Sequence, residues 1–171
     1  MLKLKKVKMQ NQKIKRKVKK IRIGIDPGMK GAMTCVQTYN DSSVDTIVYR
    51  FERMTRPEIV EVLWHYSNHS NVHAVLEKVH SMPRQGVAST FKFGESFGFI
   101  QGVLYSCKIS FDLVTPQAWM KFYSMKKSKT ESSTQWKNRL KEVSQRYFPK
   151  KKITLDMADS MLIGLYCERN Y

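Results

Sequence analysis

Residues 21–26 read Ile-Arg-Ile-Gly-Ile-Asp, and Pro27-Gly28 stops them at once. Apolar residues at every second position make a strand with a buried face, and a Pro-Gly pair ends it. An early core strand thus carries a carboxylate, Asp26, at its end, and the rest of the chain has to cover that strand. Residues 32–37 and 44–51 are two more strand-like runs, separated by the turn residues Asn40, Asp41, Ser42 and Ser43. Residues 56–69 have helical spacing, with Pro57 at the start and Ile59, Val60, Leu63 and Trp64 on one side. The short apolar run 72–79 suits a buried strand and holds Glu77 near its end. A loop at 81–86 leads to the longest helical stretch, 88–107. Residues 110–114 suit a strand. Thr115-Pro116 then has the capping chemistry that opens a short helix with Trp119 and Phe122. A basic loop at 126–129, a helix at 131–147 and a last helix at 155–167 complete the chain. Trp136, Leu140, Val143 and Tyr147 of the 131–147 helix face inward. This order predicts an α/β domain, a central mixed five-stranded sheet flanked by helices.

Gly94, Gly98 and Gly102 recur every four residues in the long helix, so they share one face. Each lowers helix stability by roughly 1 kcal/mol relative to alanine. Three in one stripe imply that another backbone approaches there, either the sheet of the same subunit or a second subunit. Phe93, Phe97, Ile100 and Leu104 form a separate apolar stripe that reads as core.

Charge sets the class of partner. There are 31 Lys and Arg against 14 Asp and Glu, a net +17, which calls for a polyanion, with nucleic acid first. A structural basic protein and an anionic membrane surface are the alternatives. Residues 1–20 hold ten Lys and Arg and no acid, so +10 of the total sits there. Such a run repels itself and reads as a disordered arm, leaving 21–171 as the folded domain. The arm could grip DNA phosphates, serve as a targeting segment, or be a solvated tail. No apolar run approaches the roughly 18 residues of a membrane helix. Cys35, Cys107 and Cys167 lie far apart with no metal-site spacing, as buried reduced thiols do. Nothing at the N-terminus resembles a secretory signal.

The acids point to the chemistry. Asp26 and Glu77 close apolar strands. Asp156 and Asp159 are three apart, hence on one face of the last helix, and their flanks are apolar. Buried carboxylates carry a desolvation penalty unless a cation or partner joins them, and an excess of lysine gives no reason to bury acids for pairing. Clustered carboxylates are hard oxygen ligands that suit Mg²⁺, with Mn²⁺ as a substitute. Two such ions can hold a scissile phosphate from both sides, one activating water and one stabilising the leaving 3′-oxygen. For any one acid alone an ordinary salt bridge or helix cap is the better account; the case rests on four at the ends of core elements.

These residues also resemble a known family. Residues 21–28, Ile-Arg-Ile-Gly-Ile-Asp-Pro-Gly, resemble the first strand of RuvC-like Holliday junction resolvases. Val75-Leu76-Glu77-Lys78-Val79 is similar to their second acidic strand, and Phe93-Gly94-Glu95-Ser96-Phe97-Gly98 to the helix after it. Asp156-Met157-Ala158-Asp159-Ser160 resembles their closing acidic motif, with Ser160 where alanine is usual. The resemblance spans about residues 21–168 in order, and its divergence looks like that of a phage-encoded or organellar member. It implies an RNase H-like fold, a homodimer, and paired symmetrical nicks in four-way DNA junctions. It carries Asp26, Glu77, Asp156 and Asp159 over as catalytic metal ligands, two Mg²⁺ per site. It implies DNA contacts at His80 and Arg84, in and near the loop after Glu77, and at Lys121 and Lys129 near the cut. His80 stands where relatives use an aromatic wedge. The expected compartment is the cytoplasm, of a bacterial host if phage-encoded, or an organellar matrix.

A Gly-Ile-Asp-Pro-Gly start also opens sugar kinases and actin-like ATPases, but this chain lacks their length and further glycine loops. The remaining alternatives are an RNase H-like nuclease that debranches forked DNA or processes RNA, and a non-catalytic junction-binding protein. Four intact acids count against the last.

Overall fold

A computed structural model describes residues 16–80 and 86–171. Its strands are β1 (Val18–Asp26), β2 (Ala32–Tyr39), β3 (Val44–Arg50), β4 (Val72–Glu77) and β5 (Ser110–Val114). Its helices are α1 (Arg56–Ser67), α2 (Val87–Ser106), α3 (Pro116–Phe122), α4 (Ser133–Tyr147) and α5 (Leu155–Asn170). The sheet order is β3-β2-β1-β4-β5, with β1, β2 and β3 antiparallel and β4 and β5 parallel to β1. This is the mixed five-stranded sheet the element order implies. Thr55 caps α1 in a reciprocal box with Glu58, and Ser132 and Gln135 do the same for α4.

β1 lies at the centre, and two cores form on its two faces. Ile21, Ile23 and Ile25 pack with Leu63, Tyr66 and Leu104 of α1 and α2. On the other side Val75 packs with Trp119, Leu140, Leu162 and Ile163. There α5 lies directly on the sheet because glycine permits it. A Cβ on Gly24 would sit 2.0 Å from the Gly164 nitrogen. The two backbones meet at that point, which sets the height of α5 above β1.

Several expectations change. β1 starts at Val18, so residues 18–20 belong to the sheet rather than to a basic arm. Lys20 pairs with Glu168 at 3.0 Å, and just before the strand Arg16 lies 3.4 Å from Asp45 and over the Tyr39 ring. Matched charges remove the self-repulsion that argued for disorder. Residues 1–15 lie outside the described residues. The glycine stripe of α2 does not meet its own sheet, since among the described residues a Cβ at Gly94, Gly98 or Gly102 would touch nothing. Trp64 and Val60 of α1, expected inside, are exposed beside it, as are Val87 and Phe91. Tyr147, also expected inside, is half exposed.

Candidate active site

Asp26 and Glu77 become neighbours because their strands are. β1 and β4 run parallel with Ile25 opposite Leu76, so the next residue of each emerges at the same end of the sheet. The Gly28 amide donates to Asp26 Oδ1 at 3.0 Å, which turns the carboxylate back over the Pro27 turn. The Trp119 indole, fully buried on α3, donates to Glu77 Oε1 at 2.9 Å. Asp159 comes from α5, five residues before the Gly24–Gly164 contact. Beside it the Ser160 hydroxyl donates to the Met157 carbonyl at 3.0 Å, so Thr34 Oγ1, 2.8 Å away on β2, is the donor to Ser160. The serine that departs from the usual alanine thus ties α5 to the sheet next to the acid.

Lys137 of α4 completes the group. Its ammonium donates to Asp159 Oδ2, while Asp159 Oδ1 is buried with no partner. The electrostatics are those of acids crowded together away from water. Burial first, then the Asp159 charge, pushes Asp26 up to about 6, against the Gly28 amide and Lys137. Burial and then the Asp26 charge push Glu77 up to about 8, with Trp119 opposing. Burial alone would lower Lys137, but the charges of Asp159, Asp26 and Glu77 outweigh it and hold the ammonium above the ordinary lysine range. Acids raised in this way by burial and like charge mark functional sites more often than structural ones.

Asp156 does not join them. It lies in the first turn of α5 and pairs with Arg50 at the end of β3, and Arg50 also pairs with Glu52. Among the described residues, no three acids, histidines or cysteines stand ready-set around one point for a metal. Asp159 is turned to Lys137 and Asp156 to Arg50. The donor set nonetheless fits a hard cation, because all its atoms are carboxylate oxygens and one of them, Asp159 Oδ1, is buried and unsatisfied.

The DNA-contact candidates divide. His80, three residues past Glu77, and Lys121 of α3 both line a cleft of about 850 Å³. Met120, Met125 and Trp136 line it as well, with Lys126 and Lys127 beside them. Lys129 is exposed in the connection between α3 and α4 and is not part of the cleft lining. Arg84 lies outside the described residues. Sequence reasoning missed Lys137, Trp119, Arg50 and the two cleft lysines. Signals existed for Trp119, a tryptophan on a short helix that comes after a buried strand, and for Lys126 and Lys127, in the basic loop at 126–129.

Among known proteins, the family described as Poxvirus A22 protein matches residues 20–168. That description names poxviruses, a third kind of source beside the phage and organellar ones. No curated protein matches the chain. A solved structure of T. thermophilus RuvC in complex with Holliday junction substrate superposes with TM-score 0.55 at 13% identity, covering 88% of this chain and 96% of that one. A second Thermus thermophilus RuvC structure gives 0.51 at 12%, covering 85% and 91%. At such identities the likeness concerns the fold, which is RNase H-like.

Proposed function

This chain belongs to the Poxvirus A22 protein family, and from that membership we propose that it is a metal-dependent endonuclease that resolves branched DNA, four-way junctions above all. The observation that carries the reading is the trio of buried Glu77 and Asp159 with partly buried Asp26, and the unsatisfied Asp159 Oδ1, at the sheet end near a lysine-bordered cleft. Asp26, Glu77 and Asp159 would hold Mg²⁺, or Mn²⁺ in its place, as two ions per site, with Asp156 joining once Arg50 lets go. When bound, these ions lower the pKa of water and offset the charge of the phosphate in the displacement.

The chain's own residues do the rest. The Gly28 amide and the Trp119 indole fix the carboxylates of Asp26 and Glu77 before substrate arrives. The Thr34–Ser160 bond and the Gly24–Gly164 contact hold Asp159 at a set height. Lys121, Lys126 and Lys127 supply cations for strand phosphates, and His80 offers a ring to an unstacked base. Lys129 adds a phosphate contact, a further one is assigned to Arg84, which lies outside the described residues, and the basic N-terminal arm adds sequence-independent grip. Paired nicks need two sites, and a homodimer supplies them. The glycine stripe of α2, with Trp64, Val60 and Phe91 exposed around it, is the face we assign to the second subunit. The three buried, unpaired cysteines accord with a reducing compartment, cytoplasm or organellar matrix. Among the described residues no helix is long and apolar enough to cross a membrane.

The test is a cleavage panel in Mg²⁺: four-way junction, fork, flap, duplex and RNA–DNA hybrid. Wild type should nick the four-way junction best and in pairs. Asp26→Asn should lose nicking by at least about a thousandfold, as expected when a metal ligand is removed, yet bind the junction normally in Ca²⁺. Undiminished cleavage by Asp26→Asn would sink the site. Preference for forks or hybrids would reassign the substrate.

A further inference from the structure

The lysine among the carboxylates cannot itself ligate a metal while it is protonated, and its position calls for a role of its own. We propose that Lys137 is the resident counter-ion of the Asp26–Glu77–Asp159 cluster, holding Asp159 until a divalent cation displaces it. This rests on the reading of the trio as a metal site.

Three acids converge at one end of a buried sheet, and their mutual repulsion needs a positive charge close by. Arg50, the base paired with Asp156 at the start of α5, is held there and by Glu52. Of the two bases, Lys137 is the one that acts on the trio: it bonds Asp159, and its charge is felt at both Asp26 and Glu77. Its hold is incomplete. The ammonium satisfies Asp159 Oδ2 and leaves Oδ1 buried without a partner. A cation coordinated by several oxygens can engage both atoms, where one ammonium here engages one.

The lysine is also free to leave. Its side chain is 45% exposed while that of Asp159 is 9% exposed, so one end of the pair opens to solvent and the other does not. A four-carbon stem with a compact charge swings out without moving the backbone of α4. Displacement therefore transfers Asp159 Oδ2 from ammonium to metal and returns the ammonium to water. Lys137 keeps the trio intact in the metal-free protein, and it competes with the metal for one of the trio's oxygens.

The experiment measures Mn²⁺ binding to the full chain without DNA, by titration calorimetry and by the loss of free-Mn²⁺ electron paramagnetic signal. Lys137→Met and Lys137→Gln should bind Mn²⁺ at least about tenfold more tightly than wild type, since a like charge has been removed from the site. Lys137→Arg, which keeps the charge, should bind within about threefold of wild type. In EDTA both neutral variants should melt lower than wild type, and saturating Mn²⁺ should close that gap. Lys137→Gln keeps a donor for Asp159, so it serves if Lys137→Met does not fold. Affinity equal to or weaker than wild type in the neutral variants overturns the counter-ion role. No Mn²⁺ uptake by wild type or variants overturns the metal-site reading itself, and this role with it.

Discussion

Glu77→Gln should make the metal-free protein more stable while abolishing its cleavage. Burial and the Asp26 charge raise Glu77 from the ordinary 4.5 to about 8. At pH 7 the folded state must therefore hold a proton on a group that is ionised when the chain unfolds. From 4.5 to 7 the penalty grows by about 1.4 kcal/mol per pH unit, so it reaches roughly 3 kcal/mol at pH 7 and about 5 kcal/mol beyond pH 8. Glu77 is only 9% exposed, so water screens little of it. Glutamine removes the titration and keeps an oxygen for the Trp119 indole. Part of the gain is shared with Asp26, which makes roughly 3 kcal/mol a ceiling at pH 7. For a chain of this size that is up to roughly 6–12 °C in Tm. The sign is that of a raised carboxylate: wild type loses stability as pH climbs from 4.5 to 8, and the variant does not share that loss. Calorimetric melts in EDTA at pH 4.5, 7 and 8.5 should show no gap, a clear gap and the widest gap. A variant that melts at or below wild type at pH 8.5 would refute the claim that Glu77 is strained by its site. Saturating Mg²⁺ should narrow the gap, because it stabilises wild type more.

Single contacts give further expectations. Arg50→Met frees Asp156 from its ion pair, so it should lower the Mg²⁺ concentration for half-maximal nicking several-fold; unchanged Mg²⁺ dependence, with full activity in Asp156→Asn, would make Asp156 a structural residue. Gly98→Arg adds a side chain at an exposed position where a Cβ meets no described atom within 4 Å. Its melt should match or exceed wild type, while light scattering should report a monomer and junction cuts should lose their pairing. Gly24→Ala forces a Cβ onto the Gly164 backbone at 2.0 Å, whereas on Gly164→Ala the Cβ meets Thr34 less closely, its methyl at 3.2 Å and its Cβ and carbonyl oxygen at 3.3 Å. Urea melts should therefore show Gly24→Ala losing about 3 kcal/mol or more and Gly164→Ala about 1 kcal/mol.

The parts of the site that can be read in the sequence are those set by local pattern plus one topological fact. Residues 21–26 and 72–77 each announce a buried strand that ends in an acid. Once the two pair in parallel, Asp26 and Glu77 have to meet. Asp159 is visible as an acid on an apolar helix, and Asp156 looks the same, because spacing of three puts both on one face. Only the tertiary structure separates them. Asp159 faces the sheet centre and Lys137, whereas Asp156, one turn nearer the helix start, reaches the end of β3 and meets Arg50. No local pattern in the chain marks either base. Lys137 is one lysine among many, its pairing partner lies 22 residues away, and Arg50 is far more distant in sequence from Asp156. The charge excess that calls for a polyanionic partner also hides these two cations.

Glycines divide in the same way. The regular stripe at 94, 98 and 102 gives the stronger signal of close approach, yet it faces outward. The approach that the fold does use is made by Gly24 and Gly164, isolated glycines in different elements with no period to reveal them. The physical difference is what each contact serves. A stripe repeats because a helix must lie along something extended, which fits another helix of a second subunit. A single pair suffices where one helix crosses a strand at one point. That crossing matters more for chemistry, since it sets how far Asp159 stands from Asp26. A methyl at Gly24 would lift α5 from the sheet and open the trio. Gly24→Ala should therefore weaken Mn²⁺ binding even in urea-free buffer, where the chain is folded, while Gly98→Arg should leave it unchanged.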